Sequence, residues 1–199
     1  MTRNEDQVAG LLLAAGGGRR LGGRPKALLR HRGRPLVEHA VGVLRAAGLT
    51  RVHVVLGARA DAVREQAELT GCVVVENPEW EQGMGSSLRA GLDSLAGTGA
   101  GAVLVSLVDQ PGIGAEAVAR VLAGFTDADS LVSAAYDGVR GHPVLFGAAH
   151  WAGIAESATG DRGARAYLKA HADAVTLVEC GDAAEPYDID TEADLVHLE

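Results

Sequence analysis

The chain is poor in several things, and each shortage removes a class of explanation. It has two cysteines, Cys72 and Cys180, in 199 residues. A disulfide-stapled secreted scaffold needs more, so both read as buried free thiols in strand-like surroundings and a reducing cytosol. The seven histidines form no HxxxH pair and the cysteines no CxxC, so no zinc spacing exists. Aromatic residues make up 4%, so the core must be filled by Val, Leu, Ile and Ala. Positive charge is outnumbered: 18 Lys and Arg stand against 26 Asp and Glu, for a net charge of −8. That balance argues against nucleic acid as the main partner, because duplex binding leans on phosphate neutralisation. An anionic ligand must then meet a local cluster of cations. No apolar run approaches the length that spans a bilayer. The opening MTRNEDQVAG also lacks the apolar segment of a signal peptide. The expectation is a cytoplasmic protein without a membrane partner, with residues 1–7 as a flexible tail.

Hydrophobic residues make up 47% of the chain and come in short runs. Strands are expected at Val8–Ala14, Val52–Leu56, Cys72–Val75, Ala102–Val108, Ser130–Ala135, Val144–Phe146 and Val175–Glu179. Several are near-continuous Val, Leu and Ile, as in strands covered on both faces. Helical spacing links Leu36, Val37, Ala40, Val41, Leu44 and Ala47, with Pro35 at the start and Gly48 at the stop. Further helices are expected over Ala62–Leu69, Ser86–Leu95, Ala115–Ala123 and Ala164–His171. This alternation predicts one α/β domain over residues 1–199, a three-layer sandwich around a mostly parallel, Rossmann-like sheet.

Ligands of such sheets bind beyond the carboxyl ends of the strands. The stretch LLLAAGGGRRLGGRPK, Leu11–Lys26, turns there from strand into a glycine-rich loop. Glycines let backbone N–H groups approach an anion closely. The loop is no Walker motif, since Lys26 follows Pro25 and precedes Ala27. It is no dinucleotide fingerprint either, because the third glycine position falls on Leu21. What remains is a phosphate cradle flanked by Arg20 and Lys26. In VLVSLVDQP, Asp109 follows a buried strand and is suited to bind Mg²⁺, although a turn or helix cap is the commoner use of such an Asp.

The loop resembles the signature of GT-A-like nucleotidyltransferases, LAAGxSxRxG followed by Lys. Within that class it is most similar to molybdenum cofactor cytidylyltransferases. NPEWEQGMGSSL (Asn77–Leu88) matches the family's NPxWxxGMxxSL, and VDQP, GHPVLF, GDRGAR and YDIDTEADL follow in order. The resemblance implies transfer of CMP from CTP to the terminal phosphate of molybdopterin, with Mg²⁺ as cofactor and pyrophosphate released. Its alternatives are guanylyl transfer, transfer to a sugar or polyol phosphate, and, outside the class, a non-catalytic cofactor-handling chaperone. It implies that Lys26, Arg20 and Asp109 are catalytic. It places Leu13, Ala14, Ala15, Gly16, Gly17, Gly18 and Gly22 around the nucleotide, with Gly83 and Ser87 on its base. Gly18 stands where the family often has Ser, which removes a hydroxyl contact. Ala15, where guanylyl-transferring relatives have Gly, favours a pyrimidine.

Asp109 and Asp190 are implied as metal ligands. Asp190 is otherwise the cap of a helix over Glu192–Leu198, and Asp188, two residues before, is placed to face the same side. His142 is either structural or part of the acceptor pocket. Asp161, read as a helix cap, Arg162 and Arg165 are implied to face the acceptor. Trp80 is either a core anchor or a wall of the site. The resemblance also implies a monomer whose product goes to a molybdenum hydroxylase.

Overall fold

The computed structural model describes residues 7–198. The expected tail lies outside them except for Gln7, whose carbonyl accepts from the N–H groups of Gly101 (2.8 Å) and Ala102 (3.2 Å). The elements run β1 (Val8–Ala14), β2 (Arg30–His31), β3 (Arg34–Pro35), α1 (Leu36–Ala46), β4 (Val52–Leu56), α2 (Ala60–Gln66), β5 (Cys72–Glu76) and α3 (Met84–Asp93). Then follow β6 (Ala102–Leu107), α4 (Ala115–Ala123), β7 (Leu131–Tyr136), β8 (Val139–Gly147), α5 (Trp151–Ser157), α6 (Arg165–Ala170) and β9 (Thr176–Glu179). Seven strands form one sheet in the order β5-β4-β1-β6-β8-β7-β9. β5, β4, β1 and β6 pair in parallel; β8 is antiparallel to both β6 and β7, and β7 pairs in parallel with β9.

β1 shows why helices cover both faces. All seven of its residues are buried, and successive side chains point to opposite sides. Leu12 and Ala14 join the core under α1, α2 and α4. Leu11 and Leu13 join the one under α3, α5 and α6. Each fully buried leucine here contributes roughly 1.5–3 kcal/mol through burial. The three-layer expectation therefore holds, with apolar stripes at helical spacing on α1, α3 and α4 covering the two sides. α1 starts directly after Pro35, and Gly48 follows its C-cap at a φ of 101°.

Three local expectations change. α5 was not foreseen: only Ile154 of its seven residues is buried, too little to write a helical stripe. β8 begins at Val139, five residues earlier than expected, so His142 lies within the strand. Cys180 is buried and free as expected, but Cys72, on the edge strand β5, is only half-buried. Among the described residues no helix is long and apolar enough to cross a membrane.

Candidate functional site

β1 ends at Ala14, and the chain turns at once along the carboxyl edge of the parallel strands. The Ala15 carbonyl takes the Ala58 N–H (3.0 Å) and so ties the loop to the one after β4. Gly18 is left-handed (φ 58°, ψ 47°), and its carbonyl takes the N–H groups of Leu21 (2.8 Å) and Gly23 (3.0 Å). Among the described residues, the N–H groups of Gly16, Gly17 and Gly18 have no backbone acceptor. A side chain at Gly18 would collide with the Arg24 carbonyl. The departure from the usual Ser is therefore demanded by the turn, which is more than the loss of a hydroxyl.

The same tight turn returns the chain so that Pro25 leads into a single helical turn, Lys26–Leu28. Lys26 Nζ then lies 2.5 Å from Asp109 Oδ2 and also donates to Asp190 Oδ1. Asp109 stands two residues beyond β6. Its carbonyl accepts from Ile189 N–H (2.9 Å), which draws the C-terminal segment alongside and delivers Asp190. Asp190 is no helix cap: Asp194 accepts from the N–H groups of Asp190 and Thr191 in that turn. Asp188 does not share its partner; it accepts from Gln110 Nε2 at 2.8 Å.

Electrostatics follow from crowding three carboxylates near one ammonium. Burial pushes the Asp109 carboxyl above its ordinary value; Lys26 opposes this, while Asp188 and Asp190 add to it. For Lys26, burial alone would favour the neutral amine, but Asp109 and Asp190 outweigh it and hold the amine protonated. The group is a permanent cation with a choice of anionic partners.

Around it opens a cleft of 390 Å³. Leu13, Ala15, Gly16, Gly17, Gly18, Arg20, Lys26, Gly83, Ser87, Asp109, Asp161 and Asp190 all line it. Ala14 and Gly22 do not: Ala14 faces the opposite core, and Gly22 is an exposed left-handed turn residue. Trp80 is a wall of this cleft, lying against Gly17 and Gly57 so closely that a Cβ on either would strike its ring or stem. Gly83 permits a close crossing, since a Cβ there would come within 2.5 Å of Asp161 Oδ1. Neither serine caps α3. Ser86 Oγ donates to the carbonyls of Gly83 (2.8 Å) and Glu79 (2.9 Å), and Ser87 faces the cleft.

A larger cavity of 760 Å³ adjoins it, sharing Leu13, Met84, Leu107 and Asp161 as a common border. His142, Arg162 and Arg165 line this second space. Burial in its floor, reinforced by Arg165, pushes His142 down to about 4, so it is neutral at neutral pH. Asp161 is no cap of α6; that helix starts after Ala164 with no side-chain cap, because Gly160 and Gly163 at positive φ break the chain first. Sequence reasoning missed Arg140 and Tyr136, which line the same cavity from the β7–β8 hairpin. The signal was present: Asp137-Gly138, both at positive φ, is a two-residue hairpin turn.

A glycine loop on a parallel strand, a bound-ready cation and two converging carboxylates define a protein that handles polyphosphates and has room for a second substrate. The chain belongs to the MobA-like NTP transferase family, whose model matches residues 10–175. It is a nucleotidyltransferase by that membership. Nicotine blue oxidoreductase of Paenarthrobacter nicotinovorans is 41% identical over 198 residues, covering 96% of both chains. Molybdenum cofactor guanylyltransferase of Shewanella pealeana is 30% identical over 140 residues, 70% of this chain and 66% of its own. Among solved structures, a Mycobacterium sp. strain JC1 homologue of Mycobacterium tuberculosis Rv0371c superposes with a TM-score of 0.82. It is 33% identical and covers 98% of this chain and 100% of that one.

Proposed function

We propose that this chain moves CMP from CTP to the terminal phosphate of a molybdopterin-type acceptor and releases pyrophosphate. The observation that carries the reading is Lys26 held between Asp109 and Asp190 at the mouth of the glycine loop, beside a separate, larger cavity. A phosphate oxygen of the acceptor attacks the α-phosphorus, and the bond from that phosphorus to the β-phosphate oxygen breaks. The nucleophile is already an anion, so no side chain has to remove a proton. The protein supplies alignment and positive charge for the leaving pyrophosphate. Arg20 and Lys26 provide that charge, with the free loop amides around the phosphates.

The donor set also fits Mg²⁺. Asp109 and Asp190 are hard oxygen ligands, and Mg²⁺ is typically held by one or two carboxylates plus substrate phosphates and water. Among the described residues no group of three or more His, Cys, Asp or Glu is placed to hold an ion alone, which fits a metal that arrives with its nucleotide. Such an ion neutralises phosphate charge when bound. Lys26 must release the two carboxylates for them to take it, and the triphosphate is the partner that receives the ammonium.

Ala15 narrows the space on the base side, which favours the smaller cytosine, and Ser87 contacts the base. His142, Asp161, Arg162 and Arg165 receive the acceptor, one molecule at a time in a cytoplasmic monomer that passes its product to a molybdenum hydroxylase. Pyrophosphate release from CTP, but not GTP, with purified molybdopterin and Mg²⁺ supports this; preference for GTP, or release with a polyol phosphate, overturns the assignment of base or acceptor.

A second reading is an oxidoreductase, favoured by the name of the 41% identical relative. A pyridine nucleotide would then occupy the cleft. Against it stands the failed GxGxxG and a lysine locked onto two carboxylates, which hydride transfer does not use. NADH-dependent dye reduction without pyrophosphate release would favour it.

A further inference from the structure

Asn77 follows β5 and is 3% exposed. Its orientation is set by the network around it. Oδ1 accepts from the Glu79 N–H at 3.0 Å, so the amide nitrogen faces the other way. Nδ2 donates to Ser86 Oγ at 2.8 Å and to Ser87 Oγ at 3.0 Å. The two hydroxyls then differ in what they have left. Ser86 gives its own proton to the carbonyls of Gly83 and Glu79. Ser87 has accepted from Asn77, and among the described residues no acceptor takes its hydroxyl proton. Ser87 is 4% exposed and lines the nucleotide cleft. A buried donor without a partner is costly, and a ligand in the cleft would relieve that cost.

We infer that Asn77 is a positioning residue for base recognition: it occupies the acceptor side of Ser87 Oγ and so holds that hydroxyl as a hydrogen-bond donor into the cleft. Ser87 thereby selects a nucleobase that presents a carbonyl oxygen or unprotonated ring nitrogen at that point. Cytosine carries both on adjacent atoms of one edge. The inference rests on the reading of this cleft as the nucleotide site.

The test is calorimetric binding of CTP and of inorganic tripolyphosphate, each with Mg²⁺, to the wild type and to Ser87→Ala, Ser87→Thr, Asn77→Ala and Asn77→Asp. Tripolyphosphate reads the phosphate grip without a base. Asn77→Asp offers Ser87 an acceptor, so it takes the proton and reverses the hydroxyl; Asn77→Ala only frees it to rotate. Ser87→Ala and Asn77→Asp should each weaken CTP binding about tenfold, the value of one lost hydrogen bond, with Asn77→Ala losing less. Ser87→Thr should keep CTP binding, and Asn77→Asp combined with Ser87→Ala should be no worse than the worse single change. Tripolyphosphate binding should stay within about twofold throughout, a difference well under 1 kcal/mol.

Unchanged CTP binding in Ser87→Ala, additive losses, or tripolyphosphate falling in step with CTP would each overturn the inference. Should Asn77→Asp fail to fold, Asn77→Ala alone and combined with Ser87→Ala decides it: no loss of CTP binding in the single variant, or additive losses in the pair, would overturn the inference. Wild-type protein that grips tripolyphosphate as tightly as CTP contradicts base recognition alone; binding of neither removes the nucleotide reading itself.

Discussion

On the side of the carboxyl edge proposed for the nucleotide, most walls are loops that directly follow parallel strands. Gly16–Gly18 follow β1, Asp109 lies just beyond β6, and Trp80 and Gly83 come from the turn after β5. On the side proposed for the acceptor, the walls are a hairpin tip, the Gly160–Arg162 turn and the irregular segment from Gly181 to Asp188. The first region is fixed by ladders on both flanks of β1 and by a bridged lysine. The second surrounds about twice the volume, 760 against 390 Å³, with exposed arginines at its rim. On the proposed assignment, a closely bonded grip on the common substrate beside a roomier pocket for the particular one would turn a shared nucleotide chemistry to different acceptors.

The largest effect that would break this contrast is at Lys26. Lys26→Ala should lower turnover about a hundredfold or more, since one preorganised donor to a developing charge is worth roughly 2–4 kcal/mol. Steady-state pyrophosphate release checks it, and near-normal turnover would erase the distinction between a precise and a permissive side. Next comes the loop itself. Gly18→Ser places a side chain against the Arg24 carbonyl at a left-handed residue. It should cost about 1–3 kcal/mol in denaturant unfolding and weaken CTP binding, although the related signature carries that very serine.

The acceptor side should respond more gently. Arg165→Ala, at an exposed rim position, should raise the acceptor KM about fivefold, as expected for a partly screened charge contact, with CTP affinity unchanged. Loss of CTP affinity in that variant would mean the two spaces are one site.

The remaining effect is in pH. His142 is pushed from 6.5 to about 4 on folding, so between those values the unfolded chain binds more protons. This group's contribution is therefore intact above about pH 6.5 and is lost as pH falls towards 4. Thermal melting from pH 7 to 4 should show a shallower acid decline in His142→Gln than in the wild type.

The same contrast explains what could be read in the residues alone. β1, β4 and α4 match expectation residue for residue because each carries its apolar pattern, near-continuous in the strands and helically spaced in α4, in one short stretch. The phosphate loop was legible for the same reason, and Lys26, Asp109 and Asp190 do converge. β8 was only half legible. Its first residues are exposed at Val139 and Arg140 and only half-buried at Gly141 and His142, and they lead into Pro143, which is turn composition. Asp161 read as a cap because a helix does follow, yet the positive-φ Gly163 intervenes. The division of labour between Asp188 and Asp190 lay outside sequence reach, since Gln110 and Lys26 approach from segments 78 and 164 residues away.

The central claim is that triphosphate and divalent ion meet at Lys26, Asp109 and Asp190. Crystals grown with CTP and Mn²⁺, measured at the manganese edge, test it most directly. The account predicts an anomalous peak between Asp109 and Asp190, the triphosphate along Gly16–Gly18, and the Lys26 ammonium turned from the carboxylates to a phosphate. Nucleotide seated in the 760 Å³ cavity, or Lys26 still bridging the two aspartates beside bound CTP, would contradict it.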